Sequence, residues 1–194
     1  MNGTAMRETS KKRAFTTKQL TLTALMSVLL IVCSWISIPT PWGIVYTLQT
    51  FAVFFSLVLL GGKCGTFSLL TFLLLGACGL PVFSQFRGGV GALFGLTGGY
   101  ILGFVFTAVI YWLAELIPAQ GKTRIVRNIV ALLIGLAVCY IFGTFWFMHI
   151  YSVDGRVITF GGALMMCVVP YIAFDFVKLA LAVLLGERLR KHIS

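Results

Sequence analysis

Two opposite charges, Asp175 and Lys178, stand three residues apart in the otherwise apolar stretch 168–189. Residues at positions i and i+3 share one face of a helix, so these two side chains can meet. A charge near the middle of a bilayer costs about 2.5–3.5 kcal/mol on insertion scales, and an ion pair away from water is weak evidence for stability. If the stretch crosses a membrane, the pair is a candidate binding site; the alternative is that it only fastens this helix to its neighbours.

A glycine-rich segment, residues 79–104, occupies the middle of the chain and contains one arginine, Arg87. Glycine allows close backbone approach, so the segment can fold inward as the floor or lid of a pocket. Arg87 would then meet an anionic group. The alternative is that the glycines only let a hairpin pack tightly. The segment is not a dinucleotide-binding motif, because that motif needs a preceding strand in a βαβ unit.

Thr47 and Gln49 follow a proline-rich loop and begin another apolar run. The neighbouring Trp42 and Tyr46 are typical of aromatic side chains at a membrane interface, but that does not explain a carboxamide in the first turn of an apolar helix. With the groups above, the sequence offers one carboxylate, one ammonium, one guanidinium and one carboxamide. That set suits a small amphipathic ligand with hydrogen-bond donors and acceptors and an anionic group.

The composition indicates a membrane protein. Of 194 residues, 59% are hydrophobic and 10% are charged, and the mean hydropathy is +1.02. A soluble domain has about 45–50% apolar and about 25% charged residues. The apolar runs are long and do not alternate as barrel strands would, so the prediction is an all-α integral membrane protein.

Six transmembrane helices fit the apolar runs. Proline and glycine pairs punctuate them, since proline disfavours helix at and before its own position. Residues 159–169 are predicted as a short helix or loop over the outer mouth, because Pro170 suits the first position of the last helix. The predicted spans are about 19–38, 47–61, 65–79, 97–117, 125–147 and 170–188.

The basic residues predict the orientation. In a six-helix layout, twelve of the fifteen lysines and arginines fall in the two tails and in the loops between helices 2 and 3 and helices 4 and 5. Arg87 and Arg156 fall on the other side, and Lys178 lies within the last helix. Cytoplasmic loops are enriched in Lys and Arg, so both termini are predicted to be cytoplasmic. Residues 1–18 would be a basic cytoplasmic tail, and 19–194 a six-helix transmembrane substrate-binding domain.

Several function classes have no support in the sequence. The net charge of +10 is explained by topology, so nucleic-acid binding is not predicted. The five cysteines are scattered and predict buried hydrophobes instead of disulfides or metal ligands. No catalytic arrangement or Walker motif appears, so we expect no enzyme activity and no cofactor. A membrane-embedded enzyme using Asp175 would lack a second catalytic group, and two opposite charges argue against an ion pore.

The sequence resembles the BioY family, the biotin-binding S components of energy-coupling-factor (ECF) transporters. The resemblance covers most of the chain. It rests on Tyr46-Thr-Leu-Gln-Thr50 after the proline-rich loop, on Gly79-Leu-Pro-Val-Phe83, on Arg87-Gly-Gly89, on Gly95-Leu-Thr-Gly-Gly-Tyr100, and on Pro170 leading to Asp175-Phe-Val-Lys178. The family more often has proline at the position of Leu96 and proline-glycine at the positions of Ala173 and Phe174.

The resemblance implies the ECF S-component fold, with biotin bound near the outer face under the loops that follow helices 1, 3 and 5. It implies a transmembrane coupling subunit and two cytoplasmic ATPase subunits as partners. In that setting Asp175 would accept a hydrogen bond from a ureido N–H of biotin, and Lys178 would orient Asp175 or donate to an acceptor. Arg87 or a loop N–H would meet the carboxylate, and Gln49, Gly98 and Tyr100 would line the pocket. An S component or stand-alone carrier for another small vitamin is the alternative.

The first helix is the expected contact with the coupling subunit. In the family, small residues on this helix make that contact, and Thr23, Ala24 and Ser27 are the small residues here. Thr23 and Ser27 form a small-xxx-small pair, which lets helices approach closely. The usual Ala-xxx-Ala pattern is not intact because Val28 follows Ala24 by four. Plain packing within the chain is the alternative role.

Overall fold

A computed structural model describes residues 15–40, 44–153 and 155–193. Most of the predicted basic tail, residues 1–14, lies outside the described residues, as does Trp42. Within them the chain is almost entirely helical, as predicted. In chain order the elements are α1 (Thr17–Trp35), β1 (Ser37–Ile38), β2 (Tyr46–Thr47), α2 (Gln49–Ala77), a 3₁₀ turn (Ser84–Phe86), α3 (Val90–Leu93), α4 (Gly98–Glu115), α5 (Gly121–Val153), α6 (Phe160–Cys167) and α7 (Val169–Ile193).

The first helix has well-defined ends. At its start Thr16 accepts a hydrogen bond from the amide of Gln19, whose side chain accepts one from the amide of Thr16. This reciprocal cap satisfies two amides that a helix start leaves without partners. The helix ends at Trp35, three residues before the predicted end, because β1 and β2 pair there as an antiparallel hairpin.

Helix α2 is broken at Gly61, where φ is +82°. A side chain would be strained in this conformation, whereas glycine is not. A Cβ atom on Gly65 would lie 2.9 Å from the Cα atom of Leu57, although eight residues of straight helix span about 12 Å. The two halves, 49–60 and 62–77, therefore fold back on each other and correspond to the predicted helices 47–61 and 65–79.

Among the described residues, five helices are long and apolar enough to cross a membrane: α1, α2, α4, α5 and α7. A sixth crossing requires that each half of α2 crosses separately, so the count of six stays a prediction. The last helix begins at Val169, one residue before the predicted Pro170, and the predicted short element before it is helix α6. Helix α5 extends the predicted span 125–147 at both ends.

The buried core lies mainly between α2 and the helices packed on it, α1, α4 and α7, while α5 packs chiefly on α4. Large buried side chains such as Phe54 and Phe72 fill its centre. Many leucine, valine and phenylalanine side chains remain exposed on the outer faces of the helices. That surface is expected of a chain whose helices lie in lipid.

The two ends of the bundle differ in charge. At one end, which we term the basic end, Arg190 lies 3.9 Å from Glu115 and donates to the carbonyl oxygen of Val58. In the same region Arg124 pairs with Glu187 at 2.5 Å. Arg124 on α5 and Arg190 on α7, which were predicted to share one side of the membrane, therefore lie at the same end of the bundle. Which side of the membrane the basic end faces stays a prediction.

Candidate functional site

A cavity lies at the end of the bundle opposite the basic end. It encloses about 620 Å³ of space not filled by atoms, counted together with its opening. Side chains from three connections cover it: Ile44 and Thr47 after α1, Ser84 and Thr97 after α2, and Cys167 after α5. Its deeper wall comes from the helices and includes Gln49, Tyr100, Ile101, Phe104, Leu136, Cys139, Tyr140 and Asp175.

Asp175 is the only carboxylate among the described residues that line the cavity. Its side chain is buried, and each of its oxygens has a donor. Oδ1 accepts from Nζ of Lys178 at 2.8 Å, and Oδ2 accepts from the hydroxyl of Tyr140 at 2.5 Å. Hydrogen bonds to an ionised acceptor are shorter and about twice as strong as neutral ones, so this geometry holds the carboxylate in a fixed orientation at the cavity wall.

Lys178 lies on the other side of Asp175 and does not line the cavity. It borders a second, mostly apolar groove between the hairpin and α7, together with Ile38, Tyr46 and Phe174. In this structure Lys178 therefore contacts Asp175 and not the cavity, in a position to neutralise and orient its carboxylate. That is the positioning role that the sequence interpretation gave as one of its alternatives.

Gln49 places an unpaired amide at the cavity. The residue is only 4% exposed, and its Nε2 atom has no hydrogen-bond partner among the described residues. A buried polar group without a partner costs about 1–3 kcal/mol, so such groups in a folded protein call for an explanation. A donor held unsatisfied at a cavity wall is positioned to meet an acceptor on a bound molecule.

Tyr100 and Thr47, two of the predicted site residues, also line the cavity. The hydroxyl of Tyr100 lies 3.2 Å from Oγ1 of the buried Thr144, so its ring is held against α5. Thr47 borders both the cavity and the groove of Lys178. Its Oγ1 accepts a hydrogen bond from the backbone N–H of Gln49 at 3.3 Å. The hairpin and the start of α2 are thereby fixed to each other at the rim.

The hairpin is fastened over the start of α7. The ring of Tyr46 stacks on that of Tyr171 at 4.2 Å, and the Tyr171 hydroxyl donates to the carbonyl oxygen of Ile44 at 3.0 Å.

Burial raises the pKa of the Cys167 thiol, next to α7, to about 12. This thiol is therefore protonated at neutral pH, which makes it a weak nucleophile and a poor metal ligand.

Arg87 and Gly98 do not line the cavity. Arg87 is exposed and donates from Nη2 to Oε1 of Gln85, in a turn where Gln85 and Phe86 have φ of 59° and 57°. Gly98 packs against the backbone, because a Cβ atom there would lie 1.7 Å from the carbonyl oxygen of Leu93. The structure thus places Gly98 in a tight helix junction and Arg87 outside the cavity wall.

The three small residues of α1 divide between two faces. Thr23 and Ser27 are buried, and Ser27 Oγ donates to the carbonyl oxygen of Ser68 on α2 at 3.0 Å. Their face is therefore occupied by packing within the chain, which was the alternative role. Ala24 lies on an exposed face, next to Val28.

The sequence interpretation missed Tyr140, the second donor to Asp175. A signal was present, since Tyr140 and Thr144 are two polar side chains in the apolar helix α5. They stand four residues apart, and such residues share one helix face. The missed polar and cysteine residues at the cavity are Thr50, Ser84, Thr97, Cys139, Tyr140, Cys167 and Tyr171.

The arrangement is suited to binding. It presents a fixed carboxylate as acceptor, an unpaired amide as donor, and apolar and aromatic walls between them, which is the usual make-up of a small-molecule site. In the described part of the chain, no three His, Cys, Asp or Glu side chains gather as a metal site would require.

Comparison with known proteins gives concordant results. A sequence model of the BioY family matches residues 6–194. The chain is 38% identical over 174 residues to the biotin transporter BioY of Thermotoga maritima, covering 90% of this chain and 96% of that protein. It is 34% identical to the biotin transporter BioY2 of Lactococcus lactis, with coverage of 90% and 91%.

The fold also matches a solved structure, the S-component for biotin from an ECF-type ABC transporter. The TM-score is 0.76 at 29% sequence identity, and the match covers 92% of this chain and 95% of that one.

Proposed function

The chain belongs to the BioY family, and on that premise we propose that it binds biotin and serves in biotin uptake as the S component of an ECF-type transporter. Binding would take place in the cavity that Asp175 and Gln49 line. One observation carries the proposal: a buried, oriented carboxylate and a buried, unpaired amide meet at a single cavity in a chain of this family.

Biotin has complementary chemistry. Its ureido ring carries two N–H donors and one carbonyl oxygen, and its valerate chain ends in a carboxylate. Asp175 accepts from a ureido N–H, while Nε2 of Gln49 donates to an acceptor of the ligand. In a site shielded from water such hydrogen bonds are stronger than in solution. The aromatic ring of Tyr100 and the side chains of Ile101 and Phe104 contact the apolar part of the bicycle.

The remaining site residues take roles that follow from their positions. Lys178 orients Asp175 through their ion pair without touching the ligand. Thr47 lies at the rim. Arg87 meets the valerate carboxylate at the cavity mouth, where Ser84, three residues before it, already lines the cavity. Gly98 supports the site through the packing of α3 against α4.

For the transport cycle, we propose that the basic end faces the cytoplasm, with both termini on that side and the cavity opening outward. The partners are a transmembrane coupling subunit and two cytoplasmic ATPase subunits, and the location is the cytoplasmic membrane. The exposed face of α1 that carries Ala24 is the contact with the coupling subunit, because the face of Thr23 and Ser27 is already covered by α2.

The binding proposal is tested with the full chain purified in detergent. Mass analysis of the denatured sample should release biotin, and calorimetric titration of ligand-free protein should give saturable binding. Asp175→Asn should weaken binding strongly, since it replaces an acceptor oxygen by a donor nitrogen. The matched control is Glu187→Gln, which neutralises a largely buried acid at the basic end and should leave the affinity unchanged. Wild-type affinity in Asp175→Asn, or release of another vitamin, contradicts the proposal.

The transport proposal needs a separate test. Labelled biotin uptake should be measured in cells that lack their own biotin carrier, with and without coexpressed coupling and ATPase subunits. Ala24→Trp should prevent co-purification of the coupling subunit while biotin binding persists, and Leu25→Trp, also exposed on α1, serves as the matched control. Full uptake without the ATPase subunits refutes the S-component assignment but leaves the binding site intact.

A further inference from the structure

Another groove, distinct from the one that Lys178 borders, opens at the basic end between α5 and α7, far from the biotin cavity. These two helices pack chiefly on other partners, α5 on α4 and α7 on α2, and make few contacts with each other. The space left between them amounts to about 900 Å³, counted together with its opening. We call it the α5–α7 groove; it is lined by Gly121, Lys122, Arg124, Ile125, Val183, Leu184, Glu187, Arg188 and Lys191.

The walls of the groove are apolar and its rim is basic. Ile125, Val183 and Leu184 form the walls, and Leu184 is 60% exposed. At the rim stand two lysines, Lys122 and Lys191, and two arginines.

The charges of the rim are not balanced within the described part of the chain. Arg124 is paired with Glu187, which is the only acid among the described residues that line the groove. Lys122, Arg188 and Lys191 are exposed, and none of the hydrogen bonds or ion pairs found among the described residues uses the nitrogen atoms of their side chains. Three cations therefore surround one apolar slot without an anionic counterpart in the described part of the chain.

We propose that the α5–α7 groove binds one anionic phospholipid, with an acyl chain along Ile125 and Leu184 and the phosphate between Lys122, Arg188 and Lys191. Such a molecule is recognised by both parts of the groove. The apolar wall contributes nothing to the binding of a soluble anion, and the basic rim contributes nothing to the binding of a lipid without net charge. Basic pockets between transmembrane helices on the cytoplasmic side are known to take anionic headgroups. The groove lies at the ends of two helices treated as membrane spans, where lipid headgroups are found.

This inference goes beyond biotin binding and does not depend on it. The simpler explanation of the rim is topology alone, because basic residues gather at cytoplasmic ends in any case. The two explanations differ in one respect. A diffuse basic surface loses lipid attraction equally wherever two of its charges are removed, whereas a built groove loses it only when the removed charges line it.

The test uses full-length protein in detergent, mixed with phosphatidylglycerol or phosphatidylcholine of identical acyl chains, and native mass spectrometry to count bound lipids. Wild type should retain one phosphatidylglycerol in preference to phosphatidylcholine. Lys122→Gln/Lys191→Gln should lower that preference about 30-fold, the factor given by ~1 kcal/mol per basic residue near a lipid surface. The matched control is Lys18→Gln/Lys63→Gln, which removes two lysines from the same end but outside the groove and should keep the preference.

Three results would overturn the proposal: no preference for phosphatidylglycerol in wild type, an equal loss in both double variants, or displacement of the lipid by glycerol 1-phosphate at similar concentration. The last would mean an anion site without a lipid. An unchanged temperature of thermal unfolding in both double variants shows that they are folded, and this control holds whether or not the biotin assignment is correct.

Discussion

Replacing Gln49 by methionine should make the protein more stable and a poorer binder. Within residues 15–40, 44–153 and 155–193, Nε2 of Gln49 is buried without a hydrogen-bond partner, so the ligand-free protein carries the cost of desolvating that amide. Methionine has a similar length, adapts to irregular spaces and has no donor to satisfy. The substitution therefore removes a penalty from the empty protein and a hydrogen bond from the complex.

The two magnitudes follow from the same hydrogen bond. Leaving a buried donor unsatisfied costs about 1–3 kcal/mol, so unfolding of Gln49→Met should need up to that much more free energy. A ligand acceptor that loses its donor in the complex meets a similar cost. Affinity for biotin should therefore fall by about 5- to 150-fold, since 1.4 kcal/mol corresponds to a factor of ten.

The assay compares thermal unfolding in detergent, followed by tryptophan fluorescence, with biotin titration of the same samples. Thr144→Val is the matched control. It also replaces a buried polar side chain by an apolar one, but Oγ1 of Thr144 has a partner in the Tyr100 hydroxyl. That variant should lose stability. If Gln49→Met is destabilised as much as Thr144→Val, the amide is satisfied in the empty protein and the reasoning is refuted.

Three further outcomes are expected. Tyr140→Phe removes one of two donors to Asp175 and should lower biotin affinity by about 10-fold or more, since a hydrogen bond to a charged group contributes about 1.5–3 kcal/mol. An unchanged titration would show that this bond does not orient the carboxylate for the ligand. Arg87→Gln should weaken binding of biotin but not of biotin methyl ester, and equal losses for both would remove Arg87 from the carboxylate. Gly98→Ala should lower the unfolding temperature and the yield of folded protein, because the new methyl group would overlap the carbonyl of Leu93. Wild-type stability of this variant would mean that α3 can move away from α4 at little cost in free energy.

The sequence predicted the helices well because the apolar runs and their punctuation by proline and glycine follow from the cost of burying backbone in lipid. It predicted the break in α2 from Gly61-Gly62 but not its form. The halves meet through a single residue with positive φ instead of a loop. The tight turn follows from backbone geometry and from the close contact of Gly65 with Leu57, neither of which composition reveals.

At the candidate site, the residues with unusual chemistry for their surroundings were predictable. Asp175 and Gln49 stood out because polar groups in apolar helices need a reason, and both line the cavity. Tyr140 did not stand out, since tyrosine is common in membrane helices and its reach depends on how α5 lies beside α7. The direction of Arg87 depends on the positive φ angles of Gln85 and Phe86, which ordinary side chains rarely adopt.

The two hydrogen bonds already made by Asp175 leave it capacity for more. An ionised carboxylate offers about four lone-pair positions, and Lys178 and Tyr140 occupy one on each oxygen. A guest N–H can take a third position without displacing either donor. Entry of the vitamin therefore requires no existing contact of this side chain to be broken, and the link that Asp175 makes from α7 to α5 can persist whether the chamber is empty or full.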